Sequence, residues 1–358
     1  MTKRYGRAVV VFDGYLDGPT TKDVAHERRS KDQHGPKVNF QGSMTLAMKK
    51  EKFLTNGENR SRFIQMLGAK LEESGCDVLY AKGDADLLIV QTTVSVSAKA
   101  DAVLVGDDTD LLVLLCYYGR KLKYETYFMS EPKQSSSKFR RYMNINILKD
   151  TLGKTVCENI LFVHAILGCD TTSRIYGIGK PVTLKVIQNN DSSFLSVAKI
   201  FGKANSSQKS IENAGEKAVI ALYKGKGNSL DSLRLERFQE KLAVSKTYIS
   251  PCALPPTSEA NKYHSFRVYH QIQAWKGNEL NPEKWGWKVA DGKMTPLQTD
   301  RAPAPQCLLQ IVRCSCKTGC KDLRCGCRKQ GLSCSLVCSG CKGVCANGKD
   351  LDGDIEEQ

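Results

Sequence analysis

The residues best placed for chemistry in this sequence are two aspartate doublets, Asp84 with Asp86 and Asp108 with Asp110, and the single Asp170 ahead of a GIGK turn. Each falls where a strand-like apolar run or a turn gives way to a helical pattern. In a parallel sheet those places are the carboxyl ends of strands, where hard oxygen ligands for Mg²⁺ or Mn²⁺ gather. Two such cations about 4 Å apart activate a water and stabilise the leaving oxygen of a phosphodiester, so carboxylates do the work given elsewhere to histidine. Asp13, which ends the apolar run AVVVFD, joins the set in the same sense. A lone Asp ahead of a helix is most often an N-cap favoured by the helix dipole. A cap needs no second acid two residues on, so doublets after successive strands favour a metal site. Asp107 fits a solvated acid beside that site, and Asp17, Asp23 and Asp101 fit surface charges.

The second constellation is CSCKTGCKDLRCGCRKQGLSCSLVCSGCKGVC, with nine cysteines: Cys314, Cys316, Cys320, Cys325, Cys327, Cys334, Cys338, Cys341 and Cys345. Dense thiols without histidine point to structural zinc. Tetrahedral coordination offers a check, because about three Zn²⁺ need roughly twelve bonds and nine thiolates supply them when three bridge. Arg313, Lys317, Lys321, Arg324, Arg328, Lys329 and Lys342 then offset the cluster's negative charge. The competing expectation is a zinc staple that serves protein contact. Cys307 falls outside the nine.

The frame that must position these residues is set by 358 residues, 41% hydrophobic and 25% charged, enough for about two domains. A formal net charge of +15 favours a polyanion, nucleic acid before membrane surface. No apolar run approaches the roughly 18 residues that span a bilayer, and the N-terminus lacks a secretory pattern, so the expected setting is intracellular. Thiols stay reduced there, which again assigns the cysteines to metal.

AVVVFD predicts a strand and the basic stretch TKDVAHERR a helix. Residues 30–50 are polar and predict a mobile excursion. A capped amphipathic helix follows from about Asn59 to Glu73, then CDVLYAKG as strand, DADLLIVQTTVSVS as helix and DAVLVGDDTDLLVLL as strand, turn and helix. Alternation of strand and helix predicts a largely parallel sheet with helices on both faces. SEPKQSSSKFRRY predicts a basic loop, and ENILFVHAILGCDTTSRIYGIGKPVTLKVI a helix, a GIG turn and a second helix with Pro181 in its first turn. Residues 190–245 have an amphipathic helical pattern, and Pro251 to Gln306 carry Trp275, Trp285 and Trp287 before a proline-bearing linker. In the GIGK turn, Gly177 and Gly179 allow backbone N–H groups to face a phosphate at a helix N-terminus, and Lys180 adds charge.

Over residues 8 to 190 the ordered motifs VFDGY, TKDVAHERR, AKGDADLLIV, GDDTDLLVLL and LGCDTTSRIYGIGK resemble the flap-endonuclease branch of the PIN-like nucleases. That resemblance implies a PIN-like α/β fold, a mostly parallel sheet with flanking helices and a helix-turns-helix element that holds duplex DNA. It implies metal acids at Asp13, Asp84, Asp86, Asp108, Asp110 and Asp170, and a grip on the scissile phosphate by Lys22 and Arg29. Gly177, Gly179 and Lys180 would hold DNA. The family places a further acidic strand ahead of its VFDG strand, whereas only MTKRYGR stands before AVVVFD here, so a sheet short of one strand and one ligand is expected. The cysteine spacing from Cys314 to Asn347 resembles the tesmin-type CXC domain, which binds zinc and DNA; the position of that family's groove-contacting tyrosine is Arg324 here, and Arg328 lies nearby.

The expected organisation is a PIN-like domain over 1–245, a tryptophan-containing segment and linker over 246–306, a small cysteine-rich zinc module over 307–347 and an acidic tail over 348–358. The expected function is a Mg²⁺- or Mn²⁺-dependent, structure-selective DNA nuclease targeted by the zinc module, nuclear or otherwise cytoplasmic. The alternative is a catalytically inactive DNA- or chromatin-binding protein of mobile-element origin. Nothing in the residues discriminates DNA from RNA.

Overall fold

The computed structural model describes residues 6–14, 18–25, 35–130, 141–188, 191–244, 249–302, 314–317, 319–329, 333–334 and 338–348. The protein is mixed α/β, about half helical, with small sheets. It forms two compact units, Met1–Lys226 with Ala260–Gln298, and Gly227–Glu259 with Thr299–Gln358. The tryptophan segment expected to stand apart therefore belongs largely to the first unit.

In that unit β1 (Val9–Phe12) pairs parallel with β2 (Asp77–Tyr80), Val9 opposite Asp77 and Phe12 opposite Tyr80. Between them lie α1 (Lys50–Leu54) and α2 (Gly57–Glu73). The Asn56 side chain starts α2 by accepting from the N–H groups of Glu58 and Asn59. Asn59 is itself buried and accepts from Val38 N at 2.8 Å while donating to Pro36 O at 2.9 Å and Phe53 O at 3.1 Å. With the edge contact of Phe40 on Phe53, this fastens residues 36–40 to the helices. The part of the polar stretch from 35 onward is thus irregular yet held, because one buried amide satisfies three backbone groups.

α3 (Asp86–Ser97) follows β2, and β3 (Ala102–Val105) leads into α4 (Thr109–Tyr118). β3 pairs parallel with β4 (Thr126–Ser130), whose other edge carries β5 (Arg141–Asn144) antiparallel. Periodicity gave no sign of β4 and β5, and Arg141 and Tyr142, expected in the basic loop, belong to a strand. The expected single sheet is divided: two strands in one ladder, three in another, with no pairing of β1 to β3 among the described residues. β1 is apolar on both faces, yet all four of its side chains are only partly buried.

After α5 (Ile145–Leu152), α6 (Lys154–Leu167) forms the centre of the unit, with every residue from Ile160 to Leu167 buried. A helix apolar all round must be covered on all sides. α4, α5, α7 (Lys180–Gln188) and α8 (Ser192–Gly202) pack against it, α9 (Gln208–Leu222) packs in turn on α7 and α8, and His264 Nε2 reaches Ile166 O at 3.0 Å. The hairpin of β6 (Trp287–Ala290) and β7 (Lys293–Pro296) turns at Asp291 and Gly292, both at positive φ, as a two-residue turn requires. Asp23 is not a free surface charge: its carboxylate accepts from Met294 N at 3.1 Å.

In the second unit α10 (Leu230–Val244) buries Leu230 and Leu233. Arg234 donates to Pro251 O at 3.1 Å and to Pro255 O, and Lys241 to Ala253 O at 2.9 Å. α11 (Ser258–Trp275) belongs to the first unit from Ala260 onward. No helix among the described residues is long and apolar enough to cross a membrane.

Candidate functional site: an acidic cluster and a thiolate cluster

β2 ends four residues before Asp84, and Asp86 is the first residue of α3; Asp108 follows β3 by three residues and Asp110 is the second residue of α4. Lys22 Nζ lies between the first two, 2.7 Å from Asp84 Oδ2 and 3.3 Å from Asp86 Oδ2. These are not loose surface pairs, since the Lys22 and Asp86 side chains are 22% and 13% exposed. Burial, then the charges of Asp84 and Asp108, push the Asp86 carboxyl up to about 7 even though Lys22 opposes the rise. Burial works against the Lys22 charge as well, but Asp84 and Asp86 outweigh it and the ammonium is held more tightly than usual. Both directions express one fact: Asp84 and Asp108 crowd the buried Asp86, and the one ammonium that pairs with Asp84 and Asp86 does not neutralise the set.

Asp13 is drawn to the same end of the fold but as a staple. Its Oδ1 accepts from Ala85 N at 3.0 Å, next to Gly14 N donating to Gly83 O at 2.8 Å. A Cβ on Gly14 would lie 2.0 Å from Ala81 O, so only glycine lets the two strand ends approach this closely. Asp108 caps α4 by accepting from Asp110 N at 2.9 Å. Asp110 is buried, and its Oδ1 is 2.7 Å from His164 Nε2 on α6. Asp170 is half-buried in the turn after α6. Among the described residues, the only groups of three or more His, Cys, Asp or Glu ligand atoms within 4.8 Å of one another are cysteine sulfurs. The aspartates share a field without closing into one ligand set. Arg29 lies outside the described residues.

His164 was invisible to motif reasoning because a lone histidine in the apolar stretch LFVHAIL has the pattern of a core residue. Only the packing of α4 against α6 puts it on Asp110. The GIGK turn follows expectation locally: Gly177 takes φ +72°, α7 begins at Lys180, and Tyr223 Oη donates to Tyr176 O at 2.6 Å to tie the turn to α9.

The nine cysteines converge. Cys314, Cys320, Cys325, Cys327, Cys334 and Cys338 are buried, with Cys316, Cys341 and Cys345 packed against them. Sulfur separations are 3.5 Å for Cys314–Cys320, 3.8 Å for Cys314–Cys334 and Cys314–Cys341, 3.7 Å for Cys325–Cys334 and 3.6 Å for Cys327–Cys338. Four sulfurs about 2.3 Å from a tetrahedral Zn²⁺ lie about 3.8 Å apart, so the donor set fits the ion. Four overlapping quartets meet this condition to within 4.8 Å. Burial pushes the Cys314 and Cys327 thiols up to about 12, whereas backbone N–H donation at the helical turn Gly326–Lys329 draws Cys325 down to about 6. Buried sulfurs of this kind ionise when a cation arrives to compensate them. The clustered cysteines can hold zinc.

The two arginines expected to face nucleic acid differ. Arg328 donates to Lys321 O at 2.7 Å, to Ala346 O at 3.3 Å and to Asn347 Oδ1 at 3.3 Å, and so is spent on the module's own backbone. Arg324 is exposed, its Nε and Nη2 lying 3.0 and 2.8 Å from Asp322 Oδ2. Lys317, Lys321, Lys329 and Lys342 are also exposed, as are Leu323 and Val344. Comparison with family models and with curated proteins finds no match to this chain.

Proposed function

We propose that this protein is a divalent-metal-dependent DNA nuclease of flap-endonuclease type, anchored to its substrate by a zinc-bound CXC module and acting in the nucleus. The observation that carries this reading is the crowding of Asp84 and Asp108 on the buried Asp86, with Lys22 against Asp84 and Asp86, at the ends of two parallel strand pairs. A cluster that raises one of its own carboxyls to about 7 is short of positive charge, and a hard divalent cation supplies it. Asp84, Asp86, Asp108 and Asp110 would hold Mg²⁺ or Mn²⁺, with Asp13 and Asp170 flanking them. Bound there, the ion would polarise a phosphodiester and lower the pKa of an attacking water. With an ion held by the carboxylates, Lys22 would be free to meet the phosphate, and the GIGK turn would offer N–H groups and Lys180 to the duplex.

In the zinc module we assign three centres. Two are the quartets Cys314, Cys316, Cys320, Cys325 and Cys320, Cys334, Cys341, Cys345. The pair left over, Cys327 and Cys338 at 3.6 Å, completes a third with Cys314 and Cys334, the sulfurs common to the quartets in which Cys327 and Cys338 occur. Cys314, Cys320 and Cys334 would then be shared between centres, and all nine thiolates would be used. The exposed lysines and Arg324 supply phosphate contacts, each adding about one unit to the salt dependence of binding.

The test is cleavage of branched and single-strand-bearing DNA, with RNA counterparts, in Mg²⁺ or Mn²⁺. Asp108→Asn with Asp110→Asn abolishes metal-dependent cleavage under this reading, and retained cleavage overturns the site. A second reading, a DNA- or chromatin-binding protein without turnover, is favoured by one observation: no three carboxylates among the described residues converge within 4.8 Å. It requires salt-sensitive DNA binding with no cleavage in the unsubstituted chain.

A further inference from the structure

Within the cysteine cluster, Cys334 is met not only by other sulfurs but by a side-chain nitrogen: Asn347 Nδ2 lies 3.4 Å from its Sγ. An amide has one accepting end and one donating end, so its orientation decides whether this contact attracts or repels. Arg328 settles the matter. A guanidinium only donates, and its Nε lies 3.3 Å from Asn347 Oδ1, so the amide oxygen faces the arginine and the amide nitrogen faces the sulfur. The backbone pins the same segment. Cys334 N donates to Asn347 O, Arg328 Nη2 to Ala346 O at 3.3 Å and Ala346 N to Gly319 O at 3.1 Å. A Cβ on the next residue, Gly348, would lie 1.9 Å from Gly343 O, so glycine lets the chain close in on the module here.

The contact falls at a demanding place. In the partition assigned above, the buried Cys334 is shared by the centre of Cys320, Cys341 and Cys345 and the centre of Cys314, Cys327 and Cys338. A buried thiolate has little water to spread its charge, and an N–H donor aimed at the sulfur takes the place of that water at a fixed point. From this geometry we infer that Asn347 is a positioning residue of the zinc cluster, its amide holding the Cys334 thiolate at the junction of two centres so that zinc leaves them slowly. The inference rests on the zinc reading of the preceding subsection. Loss of the hydrogen-bond partner of a metal ligand costs about 10- to 100-fold in metal affinity. Arg328 acts one step further out, by orienting the amide.

The experiment uses the full, zinc-loaded chain and follows transfer of zinc to an excess of a chromogenic chelator. Two variants are compared with the unsubstituted chain: Asn347→Asp, which keeps the oxygen that faces Arg328 and loses the donor, and Asn347→Leu, similar in size and uncharged, which loses both. Both are expected to release zinc about tenfold faster or more. An aspartate variant that releases zinc at the unsubstituted rate overturns the inference, because Asn347 then serves only to hold Arg328. A fast aspartate variant beside an unchanged leucine variant overturns it as well, because charge repulsion alone is then at work. Should the leucine variant fail to load, Asn347→Ala makes the same comparison. The second measurement is cadmium nuclear magnetic resonance of the same chains loaded with Cd²⁺, a soft ion that takes thiolate ligands. The resonances of the two centres that share Cys334 are expected to shift in both variants, while that of the centre of Cys314, Cys316, Cys320 and Cys325 stays in place. Shifts in every resonance, or in none, overturn the positioning role while leaving the zinc centres standing. An unsubstituted chain that binds neither ion overturns both readings.

Discussion

Replacing Asp86 by asparagine removes a charge that the folded chain holds at a cost. The carboxyl rises from 3.8 to about 7 because burial strips its water and because Asp84 and Asp108 repel it, with Lys22 compensating only in part. The rise from 3.8 to about 7 corresponds to roughly 4 kcal/mol between the protonation states. The folded state binds this proton more tightly than the unfolded state. The stabilising contribution is therefore complete below about pH 4 and is lost as the pH rises through about 7. The Asp86→Asn chain has no proton to lose, although it gives up the 3.3 Å contact with Lys22, worth roughly 1 kcal/mol. Without added Mg²⁺, the variant should gain on the unsubstituted protein by roughly 2 to 3 kcal/mol between about pH 5 and about pH 8. Urea unfolding followed by tryptophan fluorescence measures this directly, because Trp275, Trp285 and Trp287 all lie in the first unit. Added Mg²⁺ should close the gap by stabilising only the chain that keeps Asp86. A stability difference that stays constant across this pH range, or a variant less stable at about pH 8, would refute the charge-crowding account.

Two further outcomes follow from other parts of the molecule. Metal analysis should return about three zinc ions per chain, and Cys320→Ser, which removes a bridging sulfur, should lower that count more than Cys316→Ser, which removes a terminal one; equal effects would break the assigned partition. Asn59→Leu should lower stability by about 3 kcal/mol in the same urea assay, because it leaves Val38 N and the carbonyls of Pro36 and Phe53 without partners in a buried place; a loss below about 1 kcal/mol would mean that water replaces the amide.

Much of the local structure was legible in the chain itself. The Asp84, Asp86 and Asp108, Asp110 doublets do stand where strands give way to helices, since a change of hydrophobic period from 2 to 3.6 is written in neighbouring residues. The nine cysteines announce their cluster because tetrahedral thiolate chemistry needs only short spacings, and those are local. The GIG turn and the helix after it are equally local.

What only the tertiary structure decided concerns pairs far apart in sequence. Lys22 meets Asp84 and Asp86 across some sixty residues, and His164 meets Asp110 across 54, through the packing of helices whose individual sequences show only that they are apolar. Arg328 and Asp23 have the composition of surface charges and become staples because a backbone carbonyl or N–H arrives from elsewhere. The division of the strands is of the same kind: β1 and β3 each carry the pattern of a buried strand, but hydrophobic period says which face is apolar and nothing about which edge finds a partner. Sequence determined the chemical groups and their local frames. Long-range packing determined which of those groups share a field, because burial and charge act through space and not along the chain.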